Sequence, residues 1–438
     1  MRCALFFSQS HRDFRLAEIE GICRAFGIDF ALFNKIGIDS PLQEVEVPDV
    51  NIVKKILSRS ILLKAGYEYF FDATSYESLH ERIITNGKEL AKYDVNDQTW
   101  ATRVRPFGKK KGVESVKQAR IVAEWLPFHL APIDLKEPMN KFVVLEEYAS
   151  EKGSLPTRLH FVREIGEGQG WRKNRLNLPD RCYIGNTTMD PELALIQANI
   201  TSIRATSLVL DPFCGTGGLL VPAADFGASV IGTEINYSIG FAQGKSSRHD
   251  KKLLTNESVE GNFVQYGTRD KFLSLILADA SLHDLWAARP IFDAIVADPP
   301  YGVREKSRKI GPKERKEHWT LPKTAPEEHP KHYPEKQTYN LDSVFSDLLD
   351  LAAKSLVVGG RISFWFPVLL EKYSDNILPI HPCLRLMTNC EQRLTIRTSR
   401  RLLTYEKDRE PFEDERASTR MLQFEEKSFR EVALQVKK

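Results

Sequence analysis

No stretch of this chain stays apolar for anything near the roughly 20 residues that cross a bilayer, so a membrane-spanning helix is not expected. Close cysteine pairs are missing as well. Of six cysteines the nearest two are Cys383 and Cys390, with no second pair beside them. That argues against a zinc site and for buried, reduced thiols, with the cytoplasm as the expected compartment. An excess of one charge is absent too: 62 Lys and Arg stand against 59 Asp and Glu, a formal net charge of +3. Any polyanion must therefore be met by local basic patches. The start, Met1-Arg2-Cys3-Ala4-Leu5-Phe6-Phe7-Ser8, has too short an apolar core for a secretion signal and reads as a first strand. There is no internal repeat. At 438 residues the chain allows two or three domains, each able to bury its own core.

The apolar run Phe292-Asp293-Ala294-Ile295-Val296-Ala297 ends in Asp298-Pro299-Pro300-Tyr301. An exocyclic amine on a nucleobase has its lone pair delocalised into the ring and is a poor nucleophile. A carboxylate and a backbone carbonyl that accept its two N–H bonds return electron density to nitrogen. Pro299 and Pro300 remove backbone donors and fix the turn, and Tyr301 offers a flat face for a splayed-out base. Alone, such a turn is also an ordinary way to end a strand.

Upstream, Leu208-Val209-Leu210 leads into Asp211-Pro212-Phe213-Cys214-Gly215-Thr216-Gly217-Gly218 and a helical stretch at 219–226. Glycines let the backbone approach a ligand closely. The next apolar run ends in Glu234, placed to accept from both hydroxyls of a ribose, and a third, Leu273-Ser274-Leu275-Ile276-Leu277-Ala278, ends in Asp279, placed to accept from an adenine amine. Four strands with polar carboxyl ends predict a doubly wound α/β sheet with its ligand crevice along one edge. A nicotinamide fold competes, but the pattern lacks the third glycine that a pyrophosphate needs, and dehydrogenase chemistry does not explain Asp298-Pro299-Pro300-Tyr301. S-adenosylmethionine has no phosphate and suits an acid-rich crevice.

Together these residues resemble class I S-adenosylmethionine-dependent amino-methyltransferases, and within them the eukaryotic tRNA guanosine-10 N2-methyltransferase family. The likeness also includes Arg181-Cys182-Tyr183-Ile184-Gly185-Asn186-Thr187-Thr188-Met189-Asp190, His381-Pro382-Cys383, Asn389-Cys390-Glu391 and Thr398-Ser399-Arg400-Arg401-Leu402. It implies a Rossmann-like, seven-stranded methyltransferase domain with strand order 3-2-1-4-5-7-6, preceded by an α+β ferredoxin-like and THUMP region. The expected cofactor set is Asp211, Phe213, Gly215, Thr216, Gly217, Glu234 and Asp279, with Thr187 and Thr188 at the methionine end. Asp298, Pro299, Pro300 and Tyr301 form the catalytic turn, which receives the N2 of a guanosine and requires no metal. A DNA adenine or cytosine amino-methyltransferase, or a non-catalytic RNA-binding subunit, remains as an alternative.

The chain divides at the sequence level into a ferredoxin-like module (1–68), a THUMP domain (69–165), a glycine-rich linker (166–180) and the catalytic domain (181–438). Strands are expected at 3–7, 30–32, 42–47, 99–106, 141–149 and 158–164, and helices at 16–26, 50–58, 76–86 and 113–128. Arg103, Arg105, Lys109, Lys110, Lys111, Lys117 and Arg120, against the single acid Glu114, suit phosphate contacts along RNA, or form a solvated charged loop. A second basic stretch, 304–336, follows the catalytic turn and is either a lid over the crevice or an insertion without function. The third strand, an uncharged run expected on a sheet edge, invites pairing with another chain unless helices of the same chain cover it. The resemblance implies such a partner: a small zinc-binding activator protein forming a heterodimer.

Overall fold

The computed structural model describes residues 1–108, 114–150, 155–242, 257–286, 289–301, 307–311 and 335–419. They form two compact units, one of Met1–Leu16 and Ile28–Gly170, the other of Ala17–Gly27 and Trp171–Lys438.

In the first unit, β1 (Arg2–Phe7), β2 (Leu42–Glu46), β3 (Leu63–Ala73), β4 (Trp100–Phe107), β5 (Asn140–Glu147) and β6 (Arg158–Glu167) make one sheet in the order β2-β1-β3-β6-β5-β4. The boundaries expected at 68 and 165 fall inside β3 and β6, so strands of both expected modules share this sheet. β3 is almost continuously buried although it carries Lys64, Glu68 and Asp72; the buried Glu68 is met by Lys92, Tyr93 and Arg163. One end of the sheet is packed with aromatics: Phe142 and Phe161 stack at 6.0 Å, with Phe70 against both. The strand expected at 30–32 is instead a turn of 3-10 helix, Phe30–Phe33. The Asp29 side chain accepts from Ala31 N at 2.9 Å, and this local cap prevails over a three-residue apolar run.

In the second unit, β7 (Leu208–Asp211), β8 (Ser229–Glu234), β9 (Phe272–Leu277) and β10 (Phe292–Ala297) are the four strands read from the sequence. A short hairpin follows, β11 (Arg308–Ile310) with β12 (Lys336–Thr338), then β13 (Leu356–Leu369), β14 (Leu384–Arg393) and β15 (Thr398–Lys407). The main sheet runs β14-β15-β13-β10-β7-β8-β9, which is the expected 3-2-1-4-5-7-6 order read from the other edge. β15 runs antiparallel between β13 and β14; the other pairings are parallel. Its core joins Leu210, Ile295, Phe364 and Tyr405 of the sheet to Phe345, Leu348 and Leu349 of the helix Leu341–Ser355. Each such side chain contributes about 1.5–3 kcal/mol on burial.

Residues 17–27 belong to this unit for two reasons. At Gly21 any Cβ would collide with the Asn199 carbonyl, so only glycine lets the helices Arg15–Phe26 and Pro191–Ile200 meet backbone to backbone. Beside that contact, Arg361 of β13, its side chain 2% exposed, donates to both Glu20 oxygens at 2.6 and 2.7 Å and to Glu406 at 3.1 Å. Arg24 also pairs with Glu406, at 3.1 Å. Arg361→Met removes the cation from the partly buried Glu20, while Glu406 keeps Arg24 and Arg385, and we expect a loss of about 3–5 kcal/mol, read from urea unfolding. A loss below about 1 kcal/mol would show that this cluster does not hold the segment.

Candidate active site

The carboxyl ends of the parallel strands open on a cavity of about 840 Å³, toward the upper end of the usual ~300–1,000 Å³ for ligand sites. Of the residues singled out from sequence, Asp211, Phe213, Gly215, Thr216, Glu234, Asp279, Thr187, Thr188, Asp298, Pro299, Pro300 and Tyr301 all line it. Gly217 does not; it turns the chain immediately behind, at φ +84°.

Each group is held by local chemistry. Gly215 has φ +52°, and a Cβ there would point into open space rather than into protein. Its N–H donates to Glu234 Oε2 at 3.0 Å, while Glu234 Oε1 accepts from Asn236 N at 2.7 Å, fixing that carboxylate at the tip of β8. Thr188 Oγ1 bonds Gly185 N at 2.8 Å and Thr216 Oγ1 at 3.0 Å, docking the 185–188 loop on the glycine turn. Asn262, fully buried, donates to the carbonyls of Tyr183 and Thr216 and fastens the same two segments. Asp279 accepts from Ser281 through Oδ1 and from Ile310 N through Oδ2 at 2.5 Å, so the β11–β12 hairpin sits against it. Ser307 donates its hydroxyl to the Pro300 carbonyl, bracing the 298–301 turn from beside the same hairpin.

Sequence reasoning missed Arg400. It lies 99 residues beyond Tyr301 and reaches the cavity from β15. Its guanidinium lies over the Trp365 ring at 4.2 Å, donates through Nε to Gln392 at 2.6 Å and through Nη1 to the Tyr301 hydroxyl at 3.3 Å. Nη1 is also 3.9 Å from Asp298 Oδ1. The quoted stretch 398–402 contained Arg400, but only the antiparallel return of β15 shows where it points. Arg308 and Lys336, from the basic stretch expected over the crevice, both line the cavity, and Lys336 Nζ donates to the Ile235 carbonyl at 2.6 Å.

Among the described residues, the lining carries Asp190, Asp211, Glu234, Asp279 and Asp298 against Arg308, Lys336 and Arg400. This acid excess, with a glycine turn bare of side chains, fits S-adenosylmethionine, whose sulfonium and ammonium are cationic. Burial pushes the Asp211 carboxyl well above its ordinary range; the Phe213 N–H pulls it back, and the charges of Asp298 and Glu234 push it further up.

The basic residues read as RNA contacts part company. Lys117 and Arg120 are exposed on the helix Glu114–Trp125. Arg105 is committed to Glu164 at 2.8 Å and to the Tyr67 hydroxyl at 3.1 Å, and Arg103 to the Thr102 and Leu135 carbonyls. Lys109, Lys110 and Lys111 lie outside the described residues, as does most of the 304–336 stretch. Cys383 and Cys390 are buried, and the Cys383 thiol is 3.2 Å from His381 Nδ1.

A model of the Tmrp11 THUMP N-terminal domain matches residues 1–170, and one of the RMKL-like methyltransferase domain matches 180–313. The mouse tRNA (guanine(10)-N(2))-methyltransferase TRMT11 is 35% identical over 414 residues, 93% of this chain and 88% of that one. Its Dictyostelium discoideum counterpart is 33% identical over 428 residues, covering 92% and 81%. Among solved structures, TrmN from Thermus thermophilus aligns at a TM-score of 0.42 with 17% identity, over 93% of this chain and 100% of that one.

Asp211 supplies a test of the electrostatics. A carboxyl raised in the folded state gives stability that is complete below its unfolded pKa, about 3.9, and is lost as pH rises through the folded value. Asp211→Asn should therefore raise the thermal midpoint of the ligand-free protein at pH 7–8 yet weaken S-adenosylmethionine binding by about 10-fold or more. Calorimetry that finds both unchanged would remove Asp211 from this account.

Proposed function

Because this chain belongs to the tRNA (guanine(10)-N(2))-methyltransferase TRMT11 family, we propose that the cavity at the strand tips is where a tRNA guanosine receives its methyl group. The protein is an S-adenosylmethionine-dependent enzyme of tRNA modification, with a THUMP-containing N-terminal part and a class I methyltransferase fold. One observation supports the site assignment above all: the turn at Asp298 and the glycine turn at Gly215 face one cavity.

When bound, S-adenosylmethionine supplies an electrophilic methyl carbon on a sulfonium. The Gly215–Gly217 backbone, with Thr187 and Thr188, receives the methionine end, and Glu234 takes the ribose hydroxyls. Asp279 shapes the adenine end, where its carboxylate keeps acceptor capacity beyond its bonds to Ser281 and Ile310. The target base stacks on Tyr301, and its N2 donates to Asp298 and to the Pro299 carbonyl. Both acceptors raise electron density on nitrogen as it attacks, and most of the acceleration comes from orientation. Arg400, 3.9 Å from Asp298 and bonded to the Tyr301 hydroxyl, orients both ends of the turn. Family membership favours this reading over a DNA amino-methyltransferase or a non-catalytic subunit.

Lys117 and Arg120, with the basic loop before them, would contact tRNA phosphates and position the substrate without reading its sequence. A partner is proposed at β9, which is an edge strand of the sheet. Leu273 is 54% exposed and Leu277 39%, so an uncharged edge stands partly open, as a small zinc-binding activator protein completing the sheet would require. No helix among the described residues is long and apolar enough to cross a membrane, and the free cysteines suit a reducing cytoplasm.

Asp298→Ala should lower turnover by at least about 10³-fold while leaving S-adenosylmethionine affinity within about 2-fold; Asp298→Asn should cost less, because an amide oxygen still accepts. Labelled S-adenosylmethionine, total tRNA and mapping of the labelled nucleotide read both outcomes. A fully active Asp298→Ala protein would place the chemistry elsewhere. For the partner, Leu273→Lys with Leu275→Lys should abolish co-purification of a small zinc protein; an unaltered complex would move the interface away from β9.

A further inference from the structure

The turn that joins β14 to β15 stands at the lip of the acceptor end of the cavity, and no role in binding the cofactor accounts for it. Its residues 393–397 read Arg-Leu-Thr-Ile-Arg, and all five are exposed. Leu394 and Thr395 line the cavity. Ile396, next along the turn, is 74% exposed and Leu394 44%. Single exposed apolar residues are ordinary on protein surfaces, so exposure alone means nothing. Three further features set this pair apart.

The first is stiffness. Leu394 N and Thr395 N both donate to the Thr398 carbonyl, at 3.1 and 3.0 Å. The Thr395 and Thr398 hydroxyls bond each other at 2.8 Å, and Thr395 Oγ1 accepts from Arg397 N at 3.2 Å. The Arg397 carbonyl accepts from Leu370 N at 2.9 Å, tying the tip to the end of β13. The second is charge: Arg393 and Arg397 bracket the apolar pair. The third is register. Gln392 pairs with Arg400 across the hairpin, and Arg400 bonds Tyr301, so the tip is rigidly indexed to the catalytic turn.

A guanosine stacked in a stem cannot place N2 between Asp298 and Tyr301 without leaving the stack, which costs a few kcal/mol unless something fills the vacated space. Apolar wedges do this in proteins that unstack nucleic acids, and a β-branched side chain is the stiffest choice. We propose that Ile396, with Leu394 beside it, is such a wedge, entering the RNA stack as the target guanosine turns into the cavity, while Arg393 and Arg397 hold the flanking phosphates. This rests on the reading of the acceptor as a tRNA guanosine.

The test uses the full chain, with its activator protein where turnover requires one, and two tRNA transcripts: one fully paired at the target, one with an abasic nucleotide opposite it. Ile396→Gly should slow single-turnover methylation of the paired transcript about 10-fold yet stay within about 2-fold of wild type on the abasic one. A transcript carrying 2-aminopurine at the target should brighten with wild type and much less with the variant. Ile396→Leu should retain most of the paired rate. Because residue 396 is largely solvent-exposed, the fold is not at risk, and unchanged cofactor affinity checks that. Equal slowing on both transcripts overturns the wedge, as does loosening of a co-purifying protein without a change in fluorescence, which would make the tip a protein contact. A wild-type chain that binds S-adenosylmethionine but methylates no tRNA guanosine would fail at the acceptor, and the wedge with it; that result is distinct from a wild type that is active and an Ile396→Gly chain equally so.

Discussion

The parallel register that sets Ala294 beside Val209 and Ile295 beside Leu210 is the constraint on which this enzyme depends. It brings the tips of β7 and β10 to one level, so the turn that would receive a methionine and the turn that would receive a base open side by side. No loop has to reach for the chemistry. Two neighbouring strands end where the two reactants must meet, and the ridge between them is as stiff as the sheet core beneath.

That arrangement has a cost. Asp211 and Asp298 come close, Glu234 stands one strand over, and Asp211 and Glu234 are buried. Arg400 stands on the Asp298 side of the group and Lys336 acts on Glu234 and Asp279, yet acids outnumber cations along the described lining. The repulsion that disfavours the empty crevice is the same interaction that would favour a sulfonium and an ammonium. Affinity and ligand-free stability are thus drawn from one set of carboxylates.

Four strands of the methyltransferase sheet, β7 to β10, were legible because each announces itself twice, by an apolar run and by the acid or turn that ends it, whereas β13, β14 and β15 were expected only through the resemblance. Residues 208–211, 229–234, 272–277 and 292–297 needed no tertiary knowledge. β3 was not legible: burial on both faces leaves little alternation, Lys64, Glu68 and Asp72 interrupt its apolar residues, and the boundary expected at 68 falls inside it. Phe30–Phe33 misled for the opposite reason, a short apolar run captured by the Asp29 cap. Basic residues were read from clustering alone, which cannot tell Arg105, occupied by Glu164, from the exposed Lys117. Arg400 stayed hidden because antiparallel return across β15 leaves no local mark in sequence.

The ion pair between Glu20 and Arg361 spans 341 residues. During synthesis the helix that bears Glu20 emerges well before the strand that answers it. Until that strand follows, Glu20 has no seat, although Gly21 can meet Asn199 earlier. The methyltransferase sheet is in turn incomplete until its own beginning folds back to it. A contact of this span raises the contact order of the fold, and the catalytic core closes only once the strand bearing Arg361 is available.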